Sequence, residues 1–244
     1  MNFDILRAIK RPFTDFNKLG IGIIFLIIPL VNIITGFLVK GYKLEVAKTA
    51  SKKRFAMPKW EDWGSLFIKG LFSWFIGIIY MIPALIFILI SIGKVLYSII
   101  GQYGVNQGLS LENSISDQLI QNALLQNTAM MPLFLIGVLL ALLAAYLTPI
   151  AIMKYIGKYN FKDAFDFKPV FRKAFTGKYF VAILAILVYS VVISLIVSAL
   201  NLGFNAINIP YFAIALGIIL NGLAGFIVLI TSYTIIGEVY TKLK

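Results

Sequence analysis

The 244-residue sequence contains no cysteine and no histidine. Without thiolate or imidazole ligands, the chain lacks the means to form disulfides, iron–sulfur clusters or ordinary zinc and copper sites. The same absence removes the Ser-His and Cys-His pairs of nucleophilic catalysis. The sequence therefore predicts a protein that is not an enzyme and has no cofactor and no metal site.

Charged residues are scarce as well. Only 13% of the residues are charged and 60% are apolar, which gives a mean hydropathy of +0.93. An ordinary globular chain has about 45–50% apolar and about 25% charged residues. A water-soluble domain of this size would expose large apolar patches with such a composition. The composition therefore predicts an integral membrane protein.

Five uncharged apolar stretches are long enough to cross a membrane as helices. They are Leu19–Val39, Gly70–Gly93, Ala129–Met153, Tyr179–Leu200 and Tyr211–Gly237. A transmembrane β-barrel would instead show alternating segments of about 10 residues. We therefore expect an all-α fold, a polytopic helical membrane bundle in which residues 1–244 form a single integral membrane domain.

Lys and Arg are concentrated in three stretches, residues 1–18, 40–69 and 154–178, and are absent from the connections 102–128 and 201–210. The positive-inside rule places basic connections in the cytoplasm. We therefore expect a multi-pass protein of the cell membrane, with the basic stretches and the C-terminus on the cytoplasmic side.

The first apolar stretch lies between two basic stretches, so a single crossing would separate them. Pro29 breaks it after too few residues to span a bilayer, and Asn32 supplies polar atoms beside the break. Two alternatives follow: a re-entrant hairpin with a cytoplasmic N-terminus, which we favour, or a fifth span with an external N-terminus. The fold is thus four full spans plus this segment, with interfacial amphipathic helices.

An acidic residue followed by an aromatic one recurs just before three membrane segments, at Asp15-Phe16, Asp62-Trp63 and Asp166-Phe167. With Trp60, these residues form a candidate interfacial motif for a protein partner. The alternative interpretation is that helix starts at an interface favour acids and aromatics. The recurrence also suggests a pseudo-repeat of residues 1–127 and 128–244.

The net charge of +12 favours anionic lipid over nucleic acid, since the basic residues flank membrane segments and no nucleic-acid recognition fold is visible. The cluster Lys52-Lys53-Arg54 is the candidate lipid-headgroup contact; the alternative is a topology signal alone. The expected partners are the anionic lipids of the inner leaflet and a membrane protein or a second copy of the chain.

No Asp, Glu, Lys or Arg falls within the five stretches, which disfavours proton-coupled transport. Small and polar residues recur every four positions in the last two segments. A candidate polar path inside the membrane consists of Asn32, Ser190, Ser194 and Asn221. The alternative interpretation of these residues is close helix packing.

Residues 28–32 (Ile-Pro-Leu-Val-Asn), Gly41-Tyr42, residues 57–67 with Gly70, and residues 163–167 together resemble a family of prokaryotic, largely archaeal, multi-pass membrane proteins that share a domain of unknown function. The likeness extends over most of the chain, with a Pro-x-Trp-x-Asp-Trp-Gly-x-Leu-Phe pattern at its centre. The resemblance implies a helical membrane module without an assigned activity, and it adds no catalytic residue.

The sequence thus favours a non-enzymatic membrane protein that acts as a scaffold or lipid-handling module at the inner leaflet. The one-sided basic charge and the three Asp–aromatic pairs support this hypothesis. The alternative is an uncoupled permease or channel for a small solute or lipid, which the polar path would support.

Overall fold

The computed structural model describes residues 3–28, 32–107, 117–206 and 209–243, which contain α-helices, short 3₁₀ turns and no strand. The α-helices are α1 (Ile5–Lys10), α2 (Phe16–Ile27), α3 (Asn32–Ser51), α4 (Trp63–Gln107), α5 (Asp117–Gln126), α6 (Met131–Lys158), α7 (Phe167–Ala174), α8 (Gly177–Ala206) and α9 (Pro210–Tyr240). The all-α fold predicted from the sequence is confirmed.

Four of these helices are long and apolar enough to cross a membrane. They include the spans Trp63–Gly101, Thr128–Lys158, Gly177–Phe204 and Tyr211–Tyr240. Each covers one of the last four predicted stretches, because a run of apolar residues sets a spanning helix locally. The helices exceed the predicted stretches at their ends; α4 in particular continues to Gln107, so Lys94 lies inside this helix.

The first apolar stretch folds back on itself as two helices, α2 and α3. The Thr35 hydroxyl donates to the carbonyl of Phe25 at 2.8 Å, although ten residues of one continuous helix would separate them by about 15 Å. The residues on either side of the first apolar stretch are also in contact, since the Arg11 guanidinium donates to the carbonyl of Val46 at 3.0 Å. The first stretch is therefore a helical hairpin and not one continuous helix, which favours the first alternative; its place in the membrane stays a prediction. Pro29 lies outside the described residues, and Asn32 begins α3.

The chain divides into two compact units. Unit 1 consists of Met1–Ile76 and Leu147–Lys244, and unit 2 consists of Gly77–Tyr146. These boundaries differ from those of the pseudo-repeat, residues 1–127 and 128–244, which stays a prediction.

In unit 1, helix α3 approaches its neighbours at backbone distance. A Cβ atom built on Gly41 or on Gly70 would overlap the carbonyl of Leu66 or of Phe37, so α3 and α4 are in direct backbone contact. A Cβ on Gly237 would likewise meet the carbonyl of Ala47, which brings α9 equally close to α3. Small residues permit such close approach between membrane helices.

Unit 2 contains most of α4, the helix α5 and the first part of α6. Asn127 Nδ2 donates to Ser98 Oγ and to the carbonyl of Ala123, both at 2.8 Å. Gly137 of α6 faces Ile88 of α4 without room for a Cβ atom. Part of the connection 102–128 forms α5, while residues 108–116 lie outside the described residues.

The close contact at Gly70 leads to a direct prediction. Gly70→Ala forces a methyl group against the backbone of α3, and we expect it to lower the free energy of unfolding by about 1–3 kcal/mol. The control is Gly77→Ala in the same helix, where nothing lies within 4 Å of the new Cβ. It should be neutral or stabilising by up to about 1 kcal/mol. Unfolding in detergent micelles titrated with dodecyl sulfate measures both; equal stability of the two variants would contradict the contact.

Candidate functional site

The three predicted Asp–aromatic pairs all stand at helix starts. Asp15 Oδ1 accepts the backbone N–H of Lys18 at 3.1 Å, at the start of α2. Asp62 Oδ1 accepts the N–H of Ser65 at 3.3 Å, directly before α4. Asp166 holds the same position before α7, without a side-chain cap bond. Asp side chains satisfy unpaired N–H groups at such positions, so the pattern marks where helices begin.

Trp60 lies in the core of unit 1 and not on its surface. Its side chain is 8% exposed and its ring stacks on Tyr42 at 3.8 Å between centroids. The indole N–H donates to the carbonyl of Lys18 at 3.0 Å, and the Tyr42 hydroxyl donates to that of Pro58 at 2.8 Å. Trp60 therefore joins α2, α3 and the following loop, which is a structural role.

The aromatic partners of the three Asp residues remain accessible. Phe16 is 72% exposed, Trp63 44% and Phe167 54%. Large exposed aromatics beside membrane segments suit the headgroup level of a bilayer or the surface of another membrane protein. The interfacial motif thus stays a prediction, resting on these three side chains without Trp60.

A charged cluster, here called the Glu45 clamp, joins α3, α4 and the end of α6. Glu45 Oε1 accepts from Lys69 Nζ at 2.8 Å and from the Tyr159 hydroxyl at 2.6 Å. Lys48 Nζ lies 3.8 Å from the centre of the Tyr159 ring, a cation–π contact. The carboxylate of Glu45 and the ammonium group of Lys69 are thereby paired inside unit 1.

The titration properties of the clamp disfavour acid–base chemistry at neutral pH. Burial acts to raise the pKa of Glu45, but the hydrogen bonds from Lys69 and Tyr159 outweigh it and keep that pKa below its usual value. Burial and the neighbouring carboxylate raise the pKa of the Tyr159 phenol far above its ordinary range. An efficient general acid or base needs a pKa near the working pH, and both shifts move away from it.

The N-terminal segment, α3 and α9 meet at one end of unit 1. Arg11 Nη2 donates to Thr49 Oγ1 at 2.6 Å and to the carbonyl of Ala56 at 3.0 Å. Its Nη1 donates to Thr234 Oγ1 at 3.1 Å, and Arg7 lies 3.6 Å from the Glu238 carboxylate.

Helix α7 and the C-terminal residues reach the same end. Lys173 Nζ donates to the carbonyl of Leu243 at 2.7 Å, and Lys154 forms an ion pair of 2.7 Å with Asp166. The Glu45 clamp connects α3 to the loop that leads into α7. The three basic stretches of the sequence therefore share one end of unit 1, which we call the basic end.

Most exposed cations of the basic end have no ion pair with the described carboxylates. These are Lys10, Lys52, Lys53, Arg54, Lys158, Lys162, Lys168, Arg172 and Lys178. Uncompensated positive charge on one surface attracts anions and anionic membranes.

The predicted headgroup cluster Lys52-Lys53-Arg54 forms the C-terminal cap of α3. The Arg54 N–H donates to the carbonyl of Thr49 and the Lys53 N–H to that of Ala50, both at 2.9 Å, with Lys53 at φ 58°. This pattern is the Schellman motif, which favours glycine or asparagine at the left-handed position. All three side chains are exposed, so the cap presents its charges outward.

The polar residues of the last two segments line a groove between α8 and α9. The groove has a volume of about 440 Å³ and its lining includes Ser190, Ser194 and Asn221, three of the four residues of the predicted polar path. Ser194 and Asn221 are exposed on the surface of unit 1. The side chain of the fourth residue, Asn32, lies outside what the structure describes.

Asn201 also lines this groove and was missed by the sequence analysis, which assigned it to a loop. It belongs to α8, and its Oδ1 approaches Gly217 of α9 so closely that a Cβ there would lie 3.1 Å away. The signal was present, because Asn201 continues the helical spacing of Ser190, Ser194 and Ser198. The groove spans α8 residues 190–201, about 16 Å and thus about half of a bilayer core.

Among the described residues, no three His, Cys, Asp or Glu side chains lie close enough together to hold a metal ion. Asp62 accepts the N–H of Ser65, and Asp166 forms an ion pair with Lys154.

The family model described as "Protein of unknown function (DUF4013)" matches residues 21–202. The chain belongs to this family. The match begins within α2 and ends within α8, so it includes the α2–α3 hairpin, the Glu45 clamp and the predicted Lys52-Lys53-Arg54 cluster.

An uncharacterised protein of Methanocaldococcus jannaschii, MJ1189, is 28% identical to this chain over 86 residues. The alignment covers 34% of this chain and 30% of that relative, so it spans about a third of either protein. No solved structure matches the chain. These similarities agree with a membrane protein of unknown role.

Proposed function

We propose that this protein is a non-enzymatic lipid-handling module whose basic end binds the anionic headgroups of the inner leaflet. One observation carries the proposal: basic residues from widely separated parts of the sequence converge on a single end of unit 1, and nine of the exposed ones lack an ion pair with the described carboxylates. Each basic residue near an anionic leaflet contributes about 1 kcal/mol of attraction.

Exposed aromatic side chains support the same function. Phe16, Trp63 and Phe167 each follow an Asp directly before a helix start and are exposed in unit 1. Aromatic rings insert at headgroup level while Lys and Arg contact phosphates. In the scaffold form of the proposal, the same rings contact another membrane protein or a second copy of the chain.

The proposal includes the orientation of the protein in the membrane. The basic end then faces the cytoplasm at the cell membrane, with both chain ends on that side and the uncharged connections outside, because basic connections are retained in the cytoplasm. The hairpin supports a cytoplasmic N-terminus, since Arg11 and Val46 are in contact.

The absence of native cysteines gives a clean test of this orientation. Single substitutions Thr14→Cys, Ser51→Cys, Phe165→Cys and Ser110→Cys are treated with an impermeant thiol reagent in intact cells. We expect labelling at position 110 alone. Labelling of Thr14→Cys with protection of Ser51→Cys would contradict both the hairpin and the orientation.

The charge of the α3 cap tests the lipid function. The variant Lys52→Gln/Lys53→Asn/Arg54→Gln removes three positive charges, and Asn at 53 keeps the left-handed backbone. We expect binding of phosphatidylglycerol from mixed micelles to weaken at least about tenfold at low salt and less at high salt. Native mass spectrometry and the lipid-dependent rise in unfolding temperature measure the binding.

The matched control keeps the charge and changes the side chains, as Lys52→Arg/Lys53→Arg/Arg54→Lys. It should bind phosphatidylglycerol as the wild type does. If the neutral variant also binds like the wild type, or if phosphatidylcholine binds equally well, the lipid-handling proposal is wrong.

The groove between α8 and α9 favours a second candidate, an uncoupled permease or channel for a small solute or lipid. Its hydroxyl and amide groups lie on the surface of spanning helices, where hydrocarbon offers them no hydrogen-bond partner. A passing lipid headgroup would supply partners to Ser194 and to the amide oxygen of Asn221, whose Nδ2 donates to the carbonyl of Gly217 at 2.7 Å.

Reconstituted liposomes test this candidate. Wild-type protein should speed the exchange of fluorescent lipid between leaflets, measured by chemical quenching, and Ser194→Leu/Asn221→Leu should abolish the increase. Leu195→Ala, a change of an exposed residue adjacent to the groove lining, is the control and should behave as wild type. Exchange no faster than in protein-free liposomes would exclude the candidate for lipid.

A further inference from the structure

Arg11 is a buried cation without a buried counter-ion. Its side chain is 1% exposed, and its Nη1 and Nη2 atoms donate to backbone carbonyls and threonine hydroxyls. No carboxylate among the described residues forms an ion pair with it. Burial lowers the pKa of Arg11 to about 10, so the side chain still carries its charge at neutral pH.

One donor of this guanidinium is unused. Arg11 Nε is buried and has no hydrogen-bond partner, although the other two nitrogens make five hydrogen bonds. An unsatisfied donor on a buried charge is costly. An anion beside Arg11 would offset its uncompensated charge.

Arg11 borders a pocket of about 310 Å³ that is rich in cations. Its lining includes Arg7, Lys10, Arg11, Thr14, Phe55 and Asp4. Three positive groups thus surround one space together with a hydroxyl and a single carboxylate. Phosphate is the anion that such clusters of Arg, Lys and hydroxyl groups commonly bind.

The single carboxylate in the lining does not neutralise the pocket. Asp4 Oδ1 is engaged in capping α1 by accepting the N–H of Arg7 at 3.0 Å. The side chain of Arg7 lies 3.5 Å from Asp4 and 3.6 Å from Glu238, beyond short charge-assisted hydrogen bonds. Lys10 has no ion pair with a described carboxylate, so its charge is available to a ligand.

We propose that the pocket of Arg7, Lys10 and Arg11 is a binding site for a phosphate group, carried by a lipid headgroup or by a free phosphate ester. A lipid headgroup as the ligand rests on the proposed function and gives that function a specific binding site. Leu6 and Phe16 on the same N-terminal segment are 68% and 72% exposed, which suits a segment lying at headgroup depth. The pocket differs from the Lys52-Lys53-Arg54 cap, since none of those three residues lines it.

Full-length protein in detergent is titrated with two probes, inorganic phosphate and phosphatidic acid in mixed micelles, and followed by ³¹P line broadening and unfolding temperature. Lys10→Gln should weaken binding about tenfold, the loss of one charge-assisted contact, and Lys10→Arg should restore it. Lys59→Gln, an exposed lysine outside both the pocket and the Lys52-Lys53-Arg54 cap, should change it by less than about twofold. Arg11 is left intact, because its loss would unfold the N-terminal segment.

The two probes separate the sources of phosphate. Binding of both supports a site open to free phosphate esters, and binding of phosphatidic acid alone supports a headgroup site. Binding of neither by the wild type overturns the proposal. If Lys10→Gln and Lys59→Gln weaken binding equally, the binding is diffuse electrostatic attraction: the pocket proposal is then overturned, while the lipid-handling function stands.

Discussion

Burial of the Arg11 charge is the constraint on which the arrangement of the N-terminal segment, the hairpin and α9 depends. Moving an ion out of water costs several kcal/mol unless protein groups replace the lost hydration. Here those groups come from α3, from the loop after it and from α9. The guanidinium keeps all of these hydrogen bonds only when all three elements are in place. If one element separates from the others, the guanidinium either loses hydrogen-bond acceptors while it stays buried or becomes exposed to solvent.

Close backbone contacts between helices add to the packing that the hydrogen bonds of Arg11 require. Gly41 and Gly70 bring α3 against α4, and Gly237 brings α9 against α3. The stacked rings of Tyr42 and Trp60 then fill the space between α2, α3 and the loop leading to α4. Gly41, Tyr42, Trp60, Leu66 and Gly70, which belong to the pattern that suggested the family, are therefore residues of this junction, so this part of the pattern has a role in folding.

The sequence could predict those parts of the fold that depend on local composition. Spanning helices follow from apolar runs, and the break in the first run follows from Pro29 together with the basic charge on both flanks. The role of Trp60 could not be predicted, because an aromatic residue beside a membrane segment looks the same whether its ring faces lipid or Tyr42. Only the contacts of the folded chain distinguish these cases.

One of the candidate sites could likewise be predicted from the sequence, and another could not. Ser190, Ser194 and Asn221 could be grouped because helical spacing places them on one face of each helix, and Asn201 escaped only because the helix was assumed to end before it. The proposed phosphate pocket could not be found this way, because Phe55 and the N-terminal cations are far apart in sequence and come together through tertiary contacts such as that of Arg7 with the Phe55 ring. A pocket built by tertiary contact leaves no periodic pattern.

The ion pair between Arg7 and Glu238 determines where further domains would be attached to this chain. It brings the two ends of the described chain within one ion-pair distance, 3.6 Å, of each other. Any domain fused before α1 or after α9 would therefore begin next to its counterpart at the other end. Two such domains would start side by side, each tethered over the same patch of membrane.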